Sequence, residues 1–386
     1  MKCFSLVCVA LLLTSAAVAQ NQFVYSNNNV SAGTNQKPVN TVSAFKIDAD
    51  GSLTQIKGSP YATGGTGGGS NIDPEEIAIA TQGTANFLYA ANDGSGTISA
   101  YAINPVGGSL ARVPGSPFLA DGAPGGDYSL AVSPNGKFLF ATAETTTVIH
   151  IYSIATNGAL SEIAGSPFPT GANSQGLRVT PSGQFLLVGE GSLTAVGVYS
   201  ISSSGALGAV AGSPFPASAS PFDIEINCAG SLVFVIDNGS FNGSYSAIDV
   251  YSMSSGGALT PVTGEPFYNG TSSTSGGLAL SPNGQFLFVT DTFSNDISSM
   301  SIASDGALSQ VSGSPFATSN WTGGVAVSRT GKFVYSALFT VAQIDGRAVD
   351  SNGVLTPVPG TPFSTGQAQT GVPTVIAFPP RACSVP

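Results

Sequence analysis

Seven copies of one four-residue signature constrain this 386-residue chain more than any other feature in it. The signature is Gly-Ser-Pro-Phe or a near variant, opening at Gly58, Gly115, Gly165, Gly212, Gly264, Gly313 and Gly360. Successive copies lie 57, 50, 47, 52, 49 and 47 residues apart. A period of about 50 residues belongs to propellers and solenoids, where each repeat buries its apolar face only against its neighbours.

One repeat can be read in full between Tyr128 and Phe168. Ser129 to Ser133 alternates as a short strand, and Pro134-Asn135-Gly136 is a hairpin turn, Asn-Gly being the strongest short signal for one. Phe138 to Thr142 is a nearly all-apolar strand, as expected of one covered on both faces. Val148 to Ile154 makes a third strand and Ala159 to Gly165 a fourth. Four antiparallel strands in one repeat predict a propeller blade. Innermost strands are expected near Glu76, Ser129, Gly176, Asp223, Gly277, Gly324 and Val375, and second strands near Phe23, Phe87, Phe138, Phe185, Leu232, Phe286 and Phe333. The chain begins on a second strand and ends on a lone first strand, Ile376-Ala377-Phe378. The prediction is an all-β, seven-bladed propeller whose last strand completes the first blade and leaves no open sheet edge.

Before the first repeat come Lys2, an apolar run from Leu6 to Leu13 and the small residues Ala17-Val18-Ala19. This reads as a signal peptide over residues 1–19, with the propeller filling residues 20–386 and the protein secreted or periplasmic. No later stretch supplies the roughly 20 apolar residues that a membrane span requires. Charged residues make up 8% of the chain against 42% hydrophobic, and the formal net charge is −10. An acidic chain without clustered Lys and Arg is not built for nucleic acid or an anionic membrane. Past the signal, Cys228 and Cys383 are the only cysteines, which excludes a cysteine metal site and allows one disulfide.

The segments Pro134-Asn135-Gly136-Lys137-Phe138-Leu139-Phe140 and Pro282-Asn283-Gly284-Gln285-Phe286-Leu287-Phe288, with Gly-Ala-Leu leading into Gly-Ser-Pro-Phe, resemble the repeats of lactonase-like seven-bladed propellers of the 6-phosphogluconolactonase type, and of the related YVTN propellers. The resemblance covers the whole chain after the signal. It implies the propeller fold, and it implies lactone hydrolysis by His and Arg at the starts of the innermost strands. The matching pairs here run from Glu75-Glu76 and Tyr128-Ser129 to Gln175-Gly176 and Phe222-Asp223, and none of the seven contains His or Arg.

Turns between first and second strands are short and constant; those between second and third strands, and the links between blades, vary widely. Function is therefore expected on the variable face. That face should carry Asp73, Glu75, Glu76, Asp93, Asp121, Asp127, Glu144, Glu190, Asp223, Asp237, Asp291 and Asp296. Glu75, Glu76, Asp127, Tyr128 and Gln175 are the expected ligand-binding mouth. Calcium could be held at Asn92-Asp93-Gly94-Ser95 or Asp237-Asn238-Gly239-Ser240, though both are ordinary turn compositions, and no other cofactor is indicated.

The middle of the innermost strand is Ala78, Ala131, Ala279, Ala326 and Ala377 in five blades, but Arg178 and Glu225 in two consecutive ones. Such a pair is either a buried ion pair between blades or a channel site. In the channel reading Arg178 orients a carbonyl or carboxylate and Glu225 or Asp223 acts as base. His150, the single histidine, falls on a third strand away from the channel and reads as structural. Cys228 and Cys383 occupy first-to-second-strand turns on the constant face, and form either a disulfide across the channel floor or two separately buried thiols. The function expected is that of an extracytoplasmic propeller, a monomer, binding a small molecule, a carbohydrate or a surface protein. The alternative is a hydrolase that opens a neutral sugar lactone.

Overall fold

The computed structural model describes residues 21–29, 40–68, 76–120, 128–238, 247–270, 275–338, 341–366, 374–380 and Cys383. The signal-peptide segment, Glu75, Asp127 and several acidic loop residues, among them Asp73 and Asp121, lie outside the described residues. The strands form seven sheets, one per signature. Blade 3 shows the plan: inner strand Tyr128–Val132, second Phe138–Ala143, third Val148–Ile154 and outer Leu160–Glu162, all antiparallel. Inner strands of the other blades begin at Ile77, Ser174, Ser220, Ser275, Thr322 and Thr374, within three residues of their expected positions. We number the blades in chain order, blade 1 starting at Phe23.

Blade 1 is completed from the other end of the chain. Thr374–Phe378 pairs with Phe23–Asn27 in unbroken antiparallel register, Phe23 opposite Phe378 and Asn27 opposite Thr374. The ring is therefore closed by hydrogen bonds that neither terminus could make alone.

The signature explains itself in each blade. It breaks the outer strand in two: in blade 2, Leu110–Arg112 pairs with one end of the third strand and Phe118–Leu119 with the other. Between the pieces a third-strand N–H loses its backbone acceptor, and the second residue of the signature replaces it. Ala100 N–H donates to Ser116 Oγ at 2.9 Å, and Ala44, Ile151, Val198 and Ser299 donate alike to Ser59, Ser166, Ser213 and Ser314. Where the serine is replaced, the side chain still brings an oxygen: Gly346 N–H donates to Thr361 Oγ1 and Val250 N–H to Glu265 Oε2. A buried N–H left unpaired costs about 1–3 kcal/mol, so each copy must carry an acceptor here.

The apolar core falls into seven clusters, one at each interface between neighbouring blades, including blade 7 against blade 1. Each interface also carries one glycine. Gly158 of blade 3 sits against Phe87 of blade 2, with room for no side chain: a Cβ there would stand 2.4 Å from the ring. The same contact joins Gly205 to Phe138 and Gly257 to Phe185. These glycines also hold positive φ, so both the turn and the packing demand them. Tyrosine hydroxyls add long-range bonds, Tyr89 to Gly158 O and Tyr25 to Gly108 O.

Candidate channel site

The inner strands differ between the two halves of the ring. In blades 1, 2 and 3 they pair in continuous register. In blades 4 to 7 each carries a register shift at its variable-face end, at Ser174/Leu177, Pro221/Asp223, Ser275/Gly277 and Thr322/Val325. Bulges of this kind bend a strand and re-aim its side chains, and they concentrate at rims and beside sites. Glycines let the bulged strands close on each other. A Cβ on Gly176 would stand 2.5 Å from Phe222 O, and one on Gly277 would stand 3.3 Å from Gly324 Cα.

Arg178 and Glu225 meet across the interface of blades 4 and 5. Arg178 Nη2 lies 3.4 Å from Glu225 Oε1, and Arg178 Nε donates to Ile224 O at 2.9 Å. The side chains keep 34% and 15% exposure, so the two blades are joined here by a partly buried ion pair. Glu225 Oε2 also accepts the Ile226 N–H. Asp223 is buried. Its Oδ1 accepts the Ile224 N–H and its Oδ2 reaches into the space left by Gly277 to accept the Leu278 N–H of blade 6 at 3.0 Å. Burial pushes the Asp223 carboxyl above the usual carboxylate range, opposed by the nearby Arg178 guanidinium. Asp223 thus ties blade 5 to blade 6, while Arg178 and Glu225 present polar atoms to solvent in the channel wall. Gln175, half-buried, extends this wall by donating to Glu144 Oε1 at 3.0 Å.

Other expected mouth residues are placed inside the protein. Tyr128 is 1% exposed and belongs to the core between blades 2 and 3, because strand alternation turns it away from the channel. Glu76 is fully buried and accepts hydrogen bonds from Asn27 and Asn29, and Asn29 also donates to Asp93. Asp93 further accepts the Tyr128 N–H, so this buried pair of carboxylates is furnished with amide donors. Of the acidic residues expected around the mouth, Glu76, Asp93, Glu190, Asp223, Asp237, Asp291 and Asp296 are all buried; only Glu144 of those described is not. The acidic rim is thereby corrected: short carboxylates beside strand ends fold inward onto neighbouring donors. Among the described residues no His, Cys, Asp and Glu group has the arrangement of a metal site. His150 stands opposite Ala141 on the third strand, with Nδ1 2.9 Å from Glu162 Oε1, well away from the channel.

The constant face is strapped. Cys228, after the inner strand of blade 5, is joined to Cys383 by a disulfide with the Cα atoms 4.9 Å apart. The inner strand that precedes Cys383 belongs to blade 1. Blades 1 and 5 stand nearly opposite in a ring of seven, so the bond links the closing strand of blade 1 to the far side of the ring at the constant face.

Comparison with known proteins agrees with this architecture. Residues 23–172, which supply blades 2 and 3 and all of blade 1 but its inner strand, match the family model for the lactonase seven-bladed β-propeller. A 6-phosphogluconolactonase of Serratia proteamaculans is 24% identical over 123 residues, 31% of this chain. That match spans 35% of the length of the relative. Among solved structures, a Bacteroides fragilis protein with a provisional 6-phosphogluconolactonase designation superposes with a TM-score of 0.70 at 16% identity, covering 94% of this chain and 98% of its own. The periplasmic gluconolactonase of Pseudomonas aeruginosa superposes with a TM-score of 0.65 at 17% identity, covering 95% of this chain and 100% of its own. By fold the chain is a seven-bladed β-propeller, and over residues 23–172 its sequence is similar to the lactonase propellers.

Proposed function

We propose that this protein is exported and binds a small neutral ligand, a carbohydrate or sugar-derived ring, at the variable mouth of its channel without turning it over. Export follows from the Lys2, Leu6 to Leu13 and Ala17-Val18-Ala19 pattern. The observation that carries the binding reading is the commitment of the charged groups. Arg178 is engaged by Ile224 O and Glu225, and both oxygens of Asp223 hold backbone N–H groups. Groups fixed this way orient hydroxyls well, but none is left as an activated base. Among the described residues Arg178 is also the one cation on an inner strand, which disfavours a phosphorylated ligand. The reading calls on no cofactor, calcium included, and on a monomer; a surface protein is the other class of partner it admits.

The family match favours a second reading, hydrolysis of a neutral sugar lactone. There Arg178 would polarise the carbonyl and Glu225 would take a proton from the attacking water, the ring C–O bond breaking to give the hydroxy acid. A pH-stat assay on a panel of gluconic, galactonic and xylonic lactones separates the two. Acid release at the uncatalysed rate is expected; turnover abolished by Arg178→Ala overturns the binding reading.

A further inference from the structure

The variable face exposes an aromatic pair that the channel site does not use. Phe293 lies in the link between the second and third strands of blade 6, and Trp321 immediately precedes the inner strand of blade 7. They are 53% and 38% exposed. Their centroids are 5.1 Å apart and their planes cross at 87°, so the rings form a corner rather than a stack. Two blades hold the corner, one ring each, and both blades are pinned by bulged inner strands; its shape is preset before any ligand arrives.

The loop that carries Phe293 also holds buried oxygens without a hydrogen-bond partner. Thr292 Oγ1, next in sequence to Phe293, is fully buried and makes no hydrogen bond. It stands 2.8 Å from where a Cβ on Gly276 would be, and Thr322 O is equally near, so only a glycine fits against it. Asn295 Oδ1 and Asp296 Oδ1 are likewise buried and without a partner. Buried oxygens without partners are rare and costly, and three within five residues of one loop ask for hydrogen-bond donors from outside the protein.

We infer that Phe293 and Trp321 form a saccharide platform, a binding site for one ring of a neutral oligosaccharide. A pyranose offers an apolar C–H face to lie on an aromatic ring, and hydroxyls around its edge to donate to acceptor oxygens. The site supplies both, with the aromatic corner outside and the Thr292, Asn295 and Asp296 oxygens inside. Anionic sugars are disfavoured by Asp291 and Asp296 beneath the loop, and a purely apolar partner would leave the oxygens unanswered. The site stands apart from Arg178 and Glu225, so the inference holds whichever reading of the channel is right.

Trp321 is the only tryptophan of the chain, and its fluorescence therefore reports this site alone. Cellohexaose, laminarihexaose and maltohexaose are titrated into the full-length mature protein. At least one is expected to shift or quench the emission in a saturable way at millimolar concentration or below, and Phe293→Ala to weaken that binding by about tenfold while the melting temperature stays within a few degrees. Calorimetry of Trp321→Ala, which is silent in fluorescence, should show the same loss, with Arg178→Ala binding normally. No response to any of the three, or equal binding by Phe293→Ala and Trp321→Ala, overturns the inference. So does a response to an apolar dye that the sugars do not displace.

Discussion

Gly51, in the turn between the third and outer strands of blade 1, lies against the ring of Phe333 in blade 7, so closely that a Cβ on Gly51 would stand 2.4 Å from two of its carbons. This is the contact of Gly158 with Phe87 repeated at the seam, between the first and last blades of the chain. Its residues are 282 positions apart, yet the geometry is that of any other interface.

Substituting Gly51 by alanine should therefore act on ring closure. Positive φ and overpacking add at this site, for an expected loss of about 2–4 kcal/mol. Gly165→Ala is the control, because it has the same positive φ but nothing within 4 Å of its Cβ, and should cost about 1 kcal/mol. Urea denaturation of both variants checks the difference. Equal losses would mean that the Phe333 contact contributes nothing.

The disulfide joins residues 155 positions apart. Chain-entropy reasoning sets a stabilisation near 5 kcal/mol for a loop of that length, with about 2–5 kcal/mol typical of small secreted domains. The Cys228→Ser, Cys383→Ser double variant should unfold at clearly lower denaturant than the oxidised protein, and should match the parent once the parent is reduced. Alkylation of the mature protein without reductant should add no label to its intact mass; two labels would rule the bond out.

Blade 5 predicts a pH dependence. Glu265 takes the place of the signature serine and lies near Asp249, whose oxygens accept from Ser218 N–H, Ser218 Oγ and Tyr251 OH. Asp237, beside them, accepts the Ala219 N–H. Burial first, and Asp249 second, push Asp237 up to about 8 and Glu265 up to about 7. The folded state then holds protons that the unfolded chain releases near pH 4. That stability is complete below about pH 4 and is lost as pH rises through about 7 to 8. Thermal melting should show the protein more stable at pH 5 than at pH 8, and Asp237→Asn should flatten the slope. An unchanged slope in that variant would place the titrating group elsewhere.

Local chemistry alone made the repeat, the strand positions and the circular closure readable. Period-two alternation, Asn-Gly turns and evenly spaced signatures act over a few residues each, and each copy repeats the same message. The register of His150 and the juxtaposition of Arg178 with Glu225 followed, because equivalent positions in a repeat occupy equivalent places. Even the acceptor role of the signature serine was latent in its replacements, which are Thr361 and Glu265, though its meaning needed the broken outer strand to be seen.

What the sequence could not decide was the direction of individual side chains at strand ends. Glu76, Asp93 and Tyr128 look like the rim and mouth of a channel in a string of letters, but in the closed ring the amides of Asn27 and Asn29 draw the two carboxylates inward and strand alternation turns Tyr128 into the core. The pairing of Phe293 with Trp321 was equally invisible, since they come from loops of different blades and share no motif. Side-chain direction and contacts between blades depend on how seven sheets twist and pack around one axis, a property of the closed ring that no single repeat contains.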